Sequence, residues 1–310
     1  MAGDGKQPVK KSNFLFDFAL GGVSGAIAKT CTAPIERVKL IIQTQDANPR
    51  IKSGEIPRYT GIGNCFTRVY SEQGLHAFWR GNMTNIIRYF PTQAFNFAFK
   101  DTIKSMFPKA SPKTEFWTFF AINLASGGLA GAGSLCFVYP LDYARTRLAS
   151  DVGTGKRDFS GLWDCLSKTA RGPKGFMGLY NGFGVSVMGI IPYRGVYFGL
   201  YDTAREKNPF KDDKGIRGVL SKFGIAQSVA IASGYASYPF DTVRRRLQMQ
   251  SEKPPQEWLY KGTKDCFSKI MKEEGLGAFF KGAGANALRT VGSALVLVMY
   301  DQLKTVFDLH

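Results

Sequence analysis

The sequence predicts an all-α membrane protein: six transmembrane helices in three homologous repeats, packed as a three-fold pseudo-symmetric bundle around a central cavity, with short helices on one membrane surface. Three observations predict it. First, a pattern of proline, any residue, acid, any two residues, base occurs three times: Pro34-Ile35-Glu36-Arg37-Val38-Lys39, Pro140-Leu141-Asp142-Tyr143-Ala144-Arg145 and Pro239-Phe240-Asp241-Thr242-Val243-Arg244. Three copies at even spacing mark internal repetition. Second, the chain holds six apolar segments, two per repeat. Third, four of these segments carry a charge. A charge at the bilayer centre costs about 2.5–3.5 kcal/mol, so such side chains are expected to face a watery interior.

Taken in order, a short polar tail (residues 1–12) precedes repeats at 13–108, 109–210 and 211–310. The tail lacks the apolar core of a secretory signal and the Arg-rich pattern of a transit peptide, so targeting is expected to be internal. The first segment, Phe14–Ala33, contains Asp17 and Lys29; the second, Asn82–Phe99, contains Arg88. Phe116–Pro140 is uncharged and long enough to cross about 30 Å of hydrocarbon. Phe183–Tyr201 contains Arg194, Phe223–Phe240 is uncharged, and Ala283–Tyr300 contains Arg289. Small-xxx-small pairs, Gly21/Gly25 and Gly127/Gly131, suit close helix packing. The motif proline falls near the end of each odd segment, where it weakens and bends a helix.

Composition narrows the function classes. The 310 residues carry a net charge of +17. Such basicity fits nucleic acid, a small anionic ligand or an anionic membrane leaflet. The basic residues recur singly inside apolar segments and no nucleic-acid motif is present, which argues against the first. Five cysteines, Cys31, Cys65, Cys136, Cys165 and Cys266, show no metal-ligand spacing, and their odd number argues against a disulfide framework. No metal and no cofactor is expected.

Two further signatures recur. Tyr59-Thr60-Gly61, Phe159-Ser160-Gly161 and Tyr260-Lys261-Gly262 are each followed by an Asn/Asp-Cys pair, and a short amphipathic surface helix is expected to start there. Trp79-Arg80-Gly81, Tyr180-Asn181-Gly182 and Phe280-Lys281-Gly282 open the even segments. Free amides at helix starts bind phosphate groups, so these six glycines mark places for anionic lipid headgroups; ordinary capping and aromatic anchoring fit equally well. Seven residues past the second set of glycines stand Arg88, Gly189 and Arg289; ten past stand Pro91, Pro192 and Gly292. The repeats keep the scaffold and break symmetry at one depth.

The charged triplets define two rings. Glu36/Lys39, Asp142/Arg145 and Asp241/Arg244 end the odd helices; Asp101/Lys104, Asp202/Arg205 and Asp301/Lys304 end the even ones. Under three-fold symmetry each base reaches the acid of a neighbouring repeat, and each ring can close one mouth of the cavity. Between them lie Lys29, Arg88 and Arg289, three cations that match the charge of a nucleotide di- or triphosphate. Tyr193, Tyr197 and Tyr201 recur every four residues, offering either a stacking ladder or plain packing, and Gly189 leaves room for a ring.

These residues resemble the mitochondrial carrier family over nearly the whole chain, and most of all its ADP/ATP-exchanging branch. The stretches Ala33-Pro34-Ile35-Glu36-Arg37-Val38-Lys39-Leu40 and Ile87-Arg88-Tyr89-Phe90-Pro91-Thr92-Gln93-Ala94-Phe95-Asn96-Phe97-Ala98-Phe99 carry the likeness most specifically. The resemblance implies a multi-pass inner-membrane antiporter of cytosolic ADP for matrix ATP, working as a monomer, with possible association with respiratory or ATP synthase complexes. It makes Glu36, Lys39, Asp142, Arg145, Asp241 and Arg244 the matrix gate. Asp101, Lys104, Asp202, Arg205, Asp301 and Lys304 become the cytoplasmic gate. Substrate falls to Lys29, Arg88, Gly189, Ile190, Tyr193 and Arg289, and Arg244, Arg245 and Arg246 form the nucleotide-carrier signature. Cardiolipin is implied at Gly61, Gly81, Gly161, Gly182, Gly262 and Gly282. Two departures stand out: Leu247-Gln248-Met249 follows the arginines where the branch has three methionines, and Pro192 replaces a branched aliphatic. The alternatives are a diverged carrier with a structural role in an inner-membrane complex, a carrier of another adenine nucleotide, and an enzyme. His76 and His310 are the only histidines and no nucleophile motif is present, which argues against the last.

Overall fold

The computed structural model describes residues 14–108, 114–153, 157–213 and 215–306, so the tail expected over 1–12 lies outside the described residues. Among the described residues the chain is helical and contains no strand. In chain order the main helices are α1 (Phe14–Thr44), α2 (Ile62–Gln73), α3 (Asn82–Ser105), α4 (Phe116–Ala149), α5 (Leu162–Ala170), α6 (Phe183–Glu206), α7 (Ile216–Gln248), α8 (Thr263–Lys269) and α9 (Ala283–Val306).

The long odd helices of the three repeats, α1, α4 and α7, have 31, 34 and 33 residues. They outrun the apolar segments from which they were expected. Each continues nine or ten residues past its proline, so Pro34, Pro140 and Pro239 lie inside helices. Proline removes one hydrogen bond but leaves φ helical, and the residues beyond it resume the ladder. Hydropathy stops at the charged motif; backbone bonding does not. The acid and base of each triplet therefore ride on continuous helix. The even helices α3, α6 and α9 have 24 residues each.

Two stretches are long and apolar enough to cross a membrane by length and composition alone, Trp117–Ala149 and Gly175–Glu206. All six long helices nonetheless present apolar side chains outward. Val23 and Ile27 do so on α1, Met83 and Ile87 on α3, and Leu129 and Phe137 on α4. Met188 and Ile191 do so on α6, Val219 and Leu220 on α7, and Leu288 and Leu295 on α9. Each long helix thus leaves large apolar side chains exposed.

The long helices touch in the order α1, α3, α4, α6, α7, α9, and α9 returns to α1; the odd helices also touch one another. Glycines set the closest approaches. A methyl group on Gly22 would lie 2.3 Å from the Phe90 ring, and one on Gly25 would lie 2.5 Å from the Tyr89 ring, so α3 leans directly on the backbone of α1. On α4 a methyl at Gly127 would lie 2.3 Å from the Arg194 guanidinium, and one at Gly131 would lie 3.4 Å from Ile190.

Each repeat has its own small core beneath its surface helix. Cys65, Cys165 and Cys266 are all fully buried in these cores. Asn64, Asp164 and Asp265 accept hydrogen bonds from the backbone amides of Thr60, Ser160 and Lys261, which closes the loop before each helix. The recurrent Asn/Asp-Cys pair is thereby explained: one residue ties the loop and the next fills the core. Leu247 is buried in the third core, where an aliphatic chain is tolerated in place of methionine.

Candidate functional site

The six charges of the odd helices meet in one ring. Arg145 of the second repeat pairs with Glu36 of the first, Arg244 of the third with Asp142 of the second, and Lys39 of the first with Asp241 of the third at 3.0 Å. Every base thus reaches the acid of a neighbouring repeat. The side chains are 5–23% exposed, so these pairs are more desolvated than surface pairs worth about 0–1 kcal/mol. Removing one partner of a buried pair costs about 3–5 kcal/mol, because a lone charge is left behind.

Two glutamines, which sequence reasoning did not assign to the ring, brace it. Gln43 donates to Asp241 at 3.1 Å and to Thr242 at 3.0 Å; Gln248 donates to Asp142 at 3.4 Å. Each stands four residues past the ring base of its helix, one turn further on the same face. That spacing was the available signal. The departure at Gln248 therefore adds a second donor to the ring. Gln43→Met and Gln248→Met should each lower the unfolding temperature, by about 2–4 °C for a bond worth about 1 kcal/mol. Gln43→Met should do more, since its bonds are shorter. Thermal unfolding in detergent checks the order, and equal melting of both variants and wild type contradicts the bracing role.

The three consecutive arginines have separate partners. Arg244 closes the ring. Arg245 donates to Asp241 at 3.1 Å and to Thr146 at 3.0 Å. Arg246 is fully buried and pairs with Glu274 and, at 3.2 Å, with Asp46 of the first repeat. Burial alone would raise the Glu274 carboxyl, but hydrogen bonds from Arg246 and Lys281 outweigh it and hold it down at about 2. Burial pushes the thiols of Cys65, Cys165 and Cys266 up to about 12. They stay protonated and are unsuited to nucleophilic work.

Beside the ring lies a cavity of about 710 Å³. It is lined by Gly189, Ile190, Tyr193 and Arg289, expected at the substrate, by Arg194, expected to face a watery interior, by Arg245 of the arginine signature, and by Asn286, which was not singled out. Lys29 and Arg88 are not on its lining. Arg88 lies 3.6 Å from Asp142, and Lys29 sits 4.9 Å over the Tyr89 ring. Tyr193, Tyr197 and Tyr201 stack with centroids 6.2 and 5.5 Å apart, and the first two line the cavity. Gly189 has a packing reason as well, for a methyl group there would come within 3.0 Å of Phe240. Among the described residues no cluster of three or more His, Cys, Asp or Glu could hold a metal.

In the second ring, Lys104 and Arg205 are exposed. The side chains of Asp101, Asp202, Asp301 and Lys304 lie outside the described residues. The six glycines at helix starts divide into two kinds. Gly81 and Gly182 take left-handed φ of 78° and 85°, as does Gly282 at 82°. Gly61, Gly161 and Gly262 are extended, with open space where a side chain would stand. No side chain caps the helices that follow Gly61, Gly81, Gly161, Gly182 and Gly262.

Comparison with known proteins agrees with this geometry. The family model described as mitochondrial carrier protein matches three successive stretches, residues 10–111, 116–211 and 217–310. The chain is 64% identical over 294 residues to a protein named ADP,ATP carrier protein from Parachlorella kessleri, covering 94% of this chain and 84% of that one. It is 56% identical over 297 residues to ADP/ATP translocase 3 of Bos taurus, covering 95% and 98%. It is 55% identical over 295 residues to ADP/ATP translocase 2 of Tachyglossus aculeatus aculeatus, covering 94% and 97%.

Proposed function

The chain belongs to the mitochondrial carrier family, and from that premise we propose that it exchanges cytosolic ADP for matrix ATP as an antiporter. It is a transporter of the mitochondrial inner membrane, not an enzyme, and its substrates are ADP and ATP. The observation that carries the reading is the closed ring of three ion pairs between repeats, set against a cation-lined cavity large enough for a nucleotide.

The six long helices span the membrane as a three-fold pseudo-symmetric bundle; their outward apolar side chains and closed contact order support this. The ring of Glu36, Lys39, Asp142, Arg145, Asp241 and Arg244 is the matrix gate, and the triplets of the even helices form the cytoplasmic gate. Phosphates engage Lys29, Arg88 and Arg289, while the adenine lies by Gly189, Ile190 and Tyr193. Cardiolipin headgroups take the uncapped helix starts, where free amides favour phosphate. The unit of function is the monomer. Exchange of the more negative ATP for ADP moves one charge, worth about 2.3 kcal/mol per 100 mV, so membrane potential drives ATP outward.

Purified protein in liposomes loaded with ADP should take up labelled ADP and ATP from outside, and empty liposomes should not. Uptake equal to that of empty liposomes overturns the exchange reading.

A further inference from the structure

The three corners where an even helix starts against the neighbouring repeat are not equally filled. At the second repeat, Gly182 faces the Arg244 carbonyl, and Tyr139 closes the space, its hydroxyl donating to the Asn181 carbonyl at 2.9 Å. At the third, Gly282 faces the Lys39 carbonyl, and Tyr238 donates to the Lys281 carbonyl at 3.1 Å. Each tyrosine also lies beneath a ring base, Arg244 at 5.4 Å and Lys39 at 5.1 Å. Gln248 and Gln43 complete these two corners.

At the first repeat Gly81 faces the Arg145 carbonyl, but both fillers are missing. Ala33 stands where Tyr139 and Tyr238 precede their prolines, and Ala149 stands where Gln248 and Gln43 follow their ring bases. The double truncation leaves a cavity behind the Glu36–Arg145 pair, with Ala33 and Ala149 both on its wall. Its volume open to the centre of a water-sized sphere is about 10 Å³, roughly what one water requires.

The walls are polar and unsatisfied. Asn85 is 2% exposed and gives its amide nitrogen to Glu36 at 3.0 Å. That bond needs a donor, so the amide oxygen must point elsewhere, and it has no partner. The oxygen of Asn82 is also unpartnered, its nitrogen being spent on Thr30 at 3.2 Å. Arg37 is 1% exposed and keeps Nε and Nη1 without partners. Buried polar atoms in this condition are costly, and a water with two to four such neighbours removes the cost.

We propose that this corner is a built site for a single ordered water, held by Arg37, Asn82 and Asn85. The water replaces the tyrosine hydroxyl and glutamine amide of the other corners and supports the Glu36–Arg145 pair. Its link to gating rests on the proposed function; its presence does not, so a protein that failed to exchange nucleotides would still show the water.

A map of the wild-type protein, at a resolution that shows ordered solvent, should contain a peak within hydrogen-bond reach of Arg37, Asn82 and Asn85. Ala149→Gln should displace the peak and raise the unfolding temperature by about 2–4 °C, the shift expected for one added buried bond. A wild-type map without the peak overturns the proposal, whatever the variant does. A peak that survives in Ala149→Gln overturns the equivalence between water and glutamine.

Discussion

Arg88→Ala leaves the protein folded and cuts ADP uptake by about ten- to a hundredfold or more. Stability is spared because Asp142, the acid nearest Arg88, keeps Arg244 and Gln248 as partners. The Nε of Arg88 is buried without a partner, and Arg245 and Arg289 repel it. Removing this cation relieves strain rather than stranding a charge. Uptake falls because the same excess of positive charge is what an incoming polyphosphate neutralises. A hydrogen bond to a charged group is worth about 1.5–3 kcal/mol, and each 1.4 kcal/mol is tenfold. Initial uptake rates in liposomes, with a melting curve on the same preparation, test this. Normal uptake by a folded Arg88→Ala protein means the phosphate site lies elsewhere.

The second large effect concerns the Glu36–Arg145 pair. Glu36→Arg and Arg145→Glu each set like charges against one another in a desolvated site, and each should abolish exchange. Because breaking a buried pair costs about 3–5 kcal/mol, each should also lower the unfolding temperature by about 10 °C or more. The double exchange of charges restores a pair, so the variant carrying both should regain much of the lost stability and some exchange. This pair lacks the glutamine and tyrosine contacts of the other two, and the amide that Asn85 gives to Glu36 is left unchanged across the cycle. A positive coupling of about 1–3 kcal/mol is expected. A double variant no better than the sum of the singles rules out direct pairing across the first and second repeats.

Much of this was legible in the sequence. The triple motif fixes the repeats, and the acid and base three residues apart fix which side chains share a helix face. The pairing of each base with a neighbour's acid then follows from symmetry. Other features were hidden for physical reasons. The odd helices extend past their prolines because hydropathy falls while hydrogen bonding persists. Gln43 reads as an unremarkable polar residue, and Gln248 as a departure with no partner, until the ring places carboxylates beside them. Ala33 and Ala149 carry no chemical signal at all; what they do is leave space, and space becomes visible only when three corners can be laid side by side. Arg246 was read with Arg244 and Arg245 as one signature, yet only the fold separates a ring base from a residue locked to Glu274 and Asp46.

The interior prolines give the ring a mechanical property. Each odd helix carries its acid two residues beyond the proline and its base five residues beyond, which at 1.5 Å per residue is about 3 and 7.5 Å of lever arm. A turn of about 10° at the proline moves the base by about 1.3 Å and the far end of the helix by more than 2 Å. The first displacement stretches a 3.0 Å contact beyond hydrogen-bond range. Small angular strain at three weakened joints is thereby converted into loss of all three contacts, while the longer segment above each joint stays put.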